Sequence, residues 1–304
     1  MNLYTPADGL FATHVTWDDI EEDMQRGLGT VALFGPNKTA KNIGEGNVRF
    51  MSKIVLIDPD WQHKDKELPD KFIVKIVTQL TMLQFSAAVA KENKTDDPFD
   101  TPEFTAAIEF HQKRLHNAEV TVYNHLLKLA KGRIPLAKIY YMKKFSESNP
   151  VKGYIIMEYL ENTKPVHISQ NITSNSVQEI LRAKAVMEAT SLKFTPDEKK
   201  EFTEKPFSEL FAEFFEKEAI DNMMKMFREF GDGKLADRVA QMETTYPDLL
   251  DLAWADQLAD EMGMQRVLCH GDLWSMNILW KPKGDEVTMA ALIDFQVSIA
   301  SEDV

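Results

Sequence analysis

His270 to Trp280 reads HGDLWSMNILW and, after a charged turn, Val287 to Phe295 reads VTMAALIDF. Asp272, Asn277 five residues later and Asp294 further on thus fall in loops bounded by apolar runs. The run Ile278-Leu279-Trp280 turns at Lys281 to Asp285 and returns as Met289 to Phe295, a hairpin that would carry Asn277 and Asp294 to one rim. Asp and Asn offer oxygen ligands suited to a magnesium ion that phosphates already hold. A pattern of the form H-x-D-x-x-x-x-N arises readily by chance, so its weight has to come from the rest of the chain.

At 304 residues the chain is long enough for one large domain or two lobes, each able to bury a core. Its formal net charge of -13 argues against a polyanionic partner, because nucleic-acid affinity rests mostly on basic side chains that neutralise phosphates. The expected ligand is small and held locally. The N-terminus, MNLYTPADGL, has neither a basic nor an apolar leader region, and no later run is long enough for a membrane span, so a cytoplasmic location is expected. With Cys269 as the one cysteine, an internal disulfide framework and a thiolate metal site are both ruled out.

The first half is strand-rich. Asp18 to Arg26 reads as a short helix closed by Gly27 and Gly29. Gly44-Glu45-Gly46-Asn47 comes next, either a hairpin turn or a loop whose backbone can approach a phosphate. After it, Val48, Phe50, Ile54 and Leu56 alternate as one face of a half-buried strand. A second strand, Lys71 to Val77, places Lys75 in an apolar row with Ile73 and Val77. Such a lysine either needs a partner or ligand, or lies on an edge strand and snorkels to water. From Pro102 to Lys131, apolar residues Ile108, Leu115, Val122 and Leu129 recur every seven positions, with Leu126 filling in, which predicts a long helix. Glu119 sits at the edge of that stripe, as a solvated rim residue or as the partner of a buried cation. Leu136 to Phe145 and Gly153 to Leu160 read as two further strands, the second ending in Met157-Glu158-Tyr159-Leu160.

From Ser176 the pattern becomes helical. Ser176 with Glu179 has capping-box spacing, and Thr195-Pro196 with Glu198 marks another helix start. Phe207 to Phe230 and Pro247 to Met262 read as helices that end at glycines. The stripe of Phe211, Phe214, Phe215 and Met223 is expected to pack a core, with a substrate pocket as the alternative. Arg266 to Cys269 reads as a short buried strand, with Cys269 a packed thiol and His270 orienting the loop that follows.

In this order the residues resemble the protein-kinase-like phosphotransferases that act on small molecules: the aminoglycoside and choline kinases and the ecdysteroid-kinase-like (CHK kinase-like) family. HGDLWSMNILW with Ile293-Asp294-Phe295-Gln296 is closest to the last, and within it to nematode members once grouped as a domain of unknown function. The resemblance runs from about Ile43 onward. It implies an α+β, two-lobed protein-kinase-like fold: an N-terminal lobe over residues 1–160, with an antiparallel sheet and a helix, and a mainly helical C-terminal lobe over 161–304. It also implies ATP and Mg2+ as cofactors and a small-molecule alcohol as phosphoryl acceptor, steroid-like, choline-like or xenobiotic.

Residue by residue, Gly44, Gly46 and Asn47 would cover the phosphates, and Lys75 would contact the α- and β-phosphates with Glu119 holding it. Met157, Glu158, Tyr159 and Leu160 would form the hinge against adenine, Asp272 would orient or deprotonate the acceptor hydroxyl, and Asn277 and Asp294 would hold magnesium. Gly271 and Gln296 stand where protein kinases carry arginine and glycine, so activation-loop control is not expected. Because the sequence stops ten residues after Asp294, the C-terminal lobe is expected to be incomplete. A non-catalytic, nucleotide-binding pseudokinase or truncated isoform is the alternative.

Overall fold

Thr16 opens the first helix, α1 (Trp17–Leu28), through a capping box: its hydroxyl accepts from the Asp19 N–H while the Asp19 carboxylate accepts from the Thr16 N–H. The helix does not stop at Gly27. It runs through to Gly29, which takes the left-handed conformation at φ 63°. Gly27 serves close approach instead, since the Tyr140 carbonyl oxygen fills the space that a Cβ would need. The structure, a computed structural model, describes all residues except 45–50, 94–100, 131, 203–204, 211, 216, 230–232, 285, 298 and 302–304.

Five strands follow with two helices among them: β1 (Thr39–Asn42), β2 (Ser52–Asp58), β3 (Phe72–Val77), α2 (Leu80–Asn93), α3 (Pro102–Leu129), β4 (Ile139–Lys143) and β5 (Tyr154–Glu158). They form one antiparallel sheet in the order β1-β2-β3-β5-β4. Strand β3 is therefore central, and Lys75 pairs with Ile54 on one side and Ile155 on the other. The edge-strand alternative for Lys75 does not apply.

One sheet face, with Val55, Ile57, Phe72, Val74, Ile76, Tyr154 and Ile156, packs on Ile20 and Met24 of α1 and on Phe34 and Trp61. This reverses the expected face of β2. Val55 and Ile57 are fully buried under α1, whereas Ile54 and Leu56 are only partly covered on the opposite face. Val48 and Phe50 lie outside the described residues.

Helix α3 covers that opposite face, and its most buried line is polar. Gln112, His116, Glu119 and Tyr123 are all fully buried, while of the expected apolar stripe Val122 and Leu126 are buried and Ile108, Leu115 and Leu129 half-buried. The cause is underneath: strand ends present carbonyls that need donors. The Gln112 amide donates to Thr78 O at 3.1 Å and also to Met51 O, and His116 Nε2 lies 2.8 Å from Lys143 O.

The remainder is mainly helical: α4 (Ser174–Ser191), α5 (Pro196–Lys199), α6 (Pro206–Leu210), α7 (Lys217–Glu229), α8 (Ala236–Leu249) and α9 (Leu252–Met262), then β6 (Val267–Cys269), the hairpin β7 (Ile278–Lys283) and β8 (Glu286–Leu292), and β9 (Ile299–Ser301), which pairs with β6. The architecture is α+β, an antiparallel N-terminal sheet followed by a helical region. Thr195 and Glu198 form the expected capping box. Ser176 and Glu179 do not: Ser176 Oγ donates to Val287 O at 2.6 Å and the Glu179 carboxylate accepts from the Met289 N–H at 2.8 Å, so both tie α4 to β8.

Phe207 to Phe230 is not one helix but α6, a 3-10 turn at Ala212–Phe215 and α7. The helix expected from Pro247 is likewise two, because the Asp251 side chain accepts from the Trp254 N–H and caps a new start. By packing, the chain divides into two compact units, one of Met1–Val186 with Asp272–Val297 and one of Met187–Gly271 with Ser298–Val304. This is a different division from a break after Leu160, since the β7–β8 hairpin belongs with the sheet. No helix among the described residues is long and apolar enough to cross a membrane.

Candidate active site

Lys75 reaches from the centre of the sheet to the buried flank of α3. Its ammonium donates to Glu119 Oε1 at 2.9 Å and Oε2 at 2.7 Å, and to Asp294 Oδ1 at 2.8 Å. The Lys75 and Glu119 side chains are 4% and 0% exposed, so this is a desolvated cluster rather than a surface pair. Burial works against the charge on Lys75, but Asp294 and then Glu119 outweigh it and raise its pKa. For Glu119, burial is the larger influence and lifts the carboxyl to about 7 against the pull of Lys75, with the negative charge of Asp294 adding to the rise. One ammonium is thus shared by two carboxylates, and the cluster has an excess of negative charge when both are ionised.

The hairpin positions Asp294. Its register pairs Ile278 with Leu292, and the Ile293 N–H donates to Asn277 O at 3.1 Å, which brings Asn277 beside the turn into Asp294. Asp294 takes φ 68°, a left-handed conformation that aspartate tolerates at a cost of about 1 kcal/mol and that recurs where a side chain must be aimed. Next to it Phe295, fully buried, stands edge-on to Tyr123 of α3 with ring centroids 5.1 Å apart. The helix that carries Glu119 therefore also seats the segment that carries Asp294. Burial and then the charges of Glu119 and Asp294 push the Tyr123 phenol well above its ordinary pKa, so it stays neutral.

A cleft of about 260 Å³ opens over this cluster. It brings together Gly44, Lys75, Glu119, the run Met157 to Leu160, and Asp294, with Ile54, Ile73, Leu279 and Ile293 as apolar walls. At its start, the Ile43 N–H donates to Ile54 O at 2.8 Å and the Gly44 N–H to Asn42 Oδ1 at 3.1 Å. Gly46 and Asn47 lie outside the described residues. In the run from Met157, the Glu158 N–H donates to Lys138 O at 2.8 Å, and the Thr163 hydroxyl donates to Leu160 O at 2.8 Å.

Asp272 and Asn277 do not line the cleft. Asn277 is buried and its amide donates to Asp272 O at 2.9 Å and Oδ2 at 2.8 Å, holding an otherwise exposed carboxylate. The Trp280 indole N–H donates to Ser275 O at 3.0 Å across the same loop. The Trp280 backbone pairs with Lys164, whose residue also lines the cleft. Trp280 and Phe295 fall inside the motif stretches without a task of their own, and Tyr123, Thr163 and Lys164 lie outside them. Tyr123 alone carried a signal, one helical turn beyond Glu119 on the same face.

Among the described residues no group of three or more His, Cys, Asp or Glu forms a cage for a metal ion. The donors present are oxygens of Asp294 and Asn277. Of the two, Asp294 lines the cleft, and its carboxylate is an oxygen donor of the kind that a magnesium ion holding waters and phosphate oxygens takes.

The family model described as "Uncharacterized oxidoreductase dhs-27" (DUF1679) matches residues 3–303. The chain belongs to this family. No curated protein matches it in sequence. Among solved structures it is similar to a spectinomycin phosphotransferase, APH(9)-Ia, in complex with ADP and spectinomycin, at 13% identity over 95% of this chain and 71% of that one, with a TM-score of 0.46. It is also similar to the Plasmodium vivax ethanolamine kinase, at 15% identity over 87% of this chain, with a TM-score of 0.37; there it spans 57% of the other protein's length.

Proposed function

We propose that the chain is a phosphotransferase of the kinase-like class that moves the γ-phosphoryl group of ATP to a hydroxyl of a small molecule. The observation that carries this reading is the meeting of Lys75, Glu119 and Asp294 on one cleft edged by Gly44 and by the run Met157 to Leu160. In this reading residues 1–160 act as the nucleotide lobe and the later helices as the acceptor lobe. The kinship is with the ecdysteroid-kinase-like phosphotransferases, and the single buried cysteine, Cys269, suits the cytosol.

Each residue then has a task. The base lies between Ile54, Ile73 and Leu279, against the backbone of the run Met157 to Leu160. Lys75 binds the α- and β-phosphates and Glu119 fixes its ammonium. Asp294, with Asn277 beside it, would hold magnesium, which would supply charge neutralisation at the phosphates. Asp272, oriented by the Asn277 amide, accepts the proton of the acceptor hydroxyl as its oxygen attacks phosphorus in line with the departing ADP oxygen. The family description contains the word oxidoreductase, but the sheet here is antiparallel throughout. Among the described residues its strands have none of the parallel crossovers whose helix N-termini hold a dinucleotide pyrophosphate.

The test is transfer from radiolabelled ATP to a panel of steroid, choline-like and glycosidic alcohols, with Asp272→Asn as control. Transfer that the substitution reduces by about 10²-fold or more supports the reading. A chain that binds Mg-ATP yet phosphorylates no alcohol is a nucleotide-binding protein without this activity.

A further inference from the structure

Lys75 has three N–H bonds to give, and three carboxylate oxygens take them: Glu119 Oε1 at 2.9 Å, Glu119 Oε2 at 2.7 Å and Asp294 Oδ1 at 2.8 Å. The Lys75 side chain is only 4% exposed. A phosphate oxygen arriving at this site therefore finds a cation with no N–H to offer and a second carboxylate, Asp294, where its own charge must go. The two carboxylates are not equally replaceable. Glu119 holds Lys75 with both oxygens from a fully buried helix face. Asp294 holds it with one, is 22% exposed, and sits on a left-handed turn at φ 68°.

We infer that Asp294 closes the phosphate site against metal-free nucleotide by occupying Lys75, and that a divalent cation opens it by drawing Asp294 away. The cation then does two things to this chain: it takes a carboxylate out of the path of the phosphates and returns one N–H of Lys75 to them. Metal-free ATP, ADP and inorganic polyphosphates, which bring charge but no counter-ion, are excluded by the same contact. The inference rests on the assignment of the cleft to ATP.

Calorimetry on the full chain separates the two. ATP is titrated in EDTA and in excess MgCl2, into the native chain and into Asp294→Asn, which keeps the Lys75–Glu119 pair and removes the competing charge. The expected result is native binding in magnesium at least tenfold tighter than in EDTA, and Asp294→Asn binding in EDTA at least tenfold tighter than the native chain in EDTA, with magnesium adding little. Asp294→Asn also removes a negative charge, so the same comparison is made on a Lys75→Gln background, where an amide N–H still serves Glu119. There the gain from Asp294→Asn shrinks to less than threefold if it acts through Lys75.

A native chain that binds Mg-ATP, with Asp294→Asn no better than native in EDTA, overturns the closure while leaving the nucleotide site standing. A gain that persists in full on the Lys75→Gln background also overturns it, in favour of general charge repulsion. Should circular dichroism show the Lys75→Gln chain unfolded, the first comparison decides alone. A native chain that binds ATP in neither condition removes the nucleotide assignment and the closure together.

Discussion

His116 is buried on α3 with Nε2 against the Lys143 carbonyl, and burial lowers its pKa to about 4 although that hydrogen bond works the other way. The folded pKa lies below the unfolded value of roughly 6.5, so between these limits the unfolded chain binds the extra proton. The stabilisation is complete above pH 6.5 and is lost as pH falls from 6.5 toward 4, by about 3 kcal/mol for His116 taken alone. Glu119, lifted to about 7, runs in the opposite sense over much of that window. The comparison is therefore a difference: native minus His116→Gln stability, from urea melts at pH 7.5 and 5, should fall with pH, and a pH-independent difference would contradict neutral burial. Gly27 makes a second case. Alanine normally favours a helix over glycine by about 1 kcal/mol, yet the Tyr140 carbonyl occupies the place of the new methyl. Gly27→Ala should destabilise the chain by about 1–3 kcal/mol in chemical denaturation, the cost of overpacking.

Element by element, what could be read from sequence depended on whether each segment's environment was local. The strand with Lys75, the helix with Glu119 and the β7–β8 hairpin announce themselves through short-period patterns and turn residues. The buried polar line of α3 did not, because Gln112 and His116 are explained only by the carbonyls of Thr78 and Lys143 in distant segments. The start of α6 is fixed by a tertiary contact that no local pattern marks: the Asp256 carboxylate accepts from the Phe207 and Ser208 N–H groups at 2.9 and 3.0 Å and caps α6 from α9. Ser176 and Glu179 have the spacing of a cap and spend their polar atoms on β8 instead. The contact between Phe295 and Tyr123 joins two elements far apart in sequence. Phe295→Ala should cost about 3–5 kcal/mol in urea unfolding, and should lower phosphoryl transfer more than Phe295→Leu, because the turn that aims Asp294 loses its seat. Equal activity in the two variants would separate that seat from function.

For the whole molecule, charge was fully legible and packing was not. With 35 basic and 48 acidic residues the chain repels itself, and raising sodium chloride from about 10 mM to about 150 mM shortens the screening length from roughly 30 Å to roughly 8 Å. The melting temperature should rise by about 2–4 °C, the equivalent of roughly 1 kcal/mol in a domain of 150–250 residues. A fall would mean that exposed pairs such as Arg26–Glu22 outweigh the repulsion. The division into two units was less accessible, because composition does not mark the return of the chain at Asp272 to the unit it left after Val186. That return is held by the backbone bridge between Lys164 and Trp280 and by the ties of Ser176 and Glu179 to β8. The segment from 187 to 271 thus leaves the first unit and returns to it at a stitched base, so the positions of Asp272, Asn277 and Asp294 are set by contacts of the first unit itself.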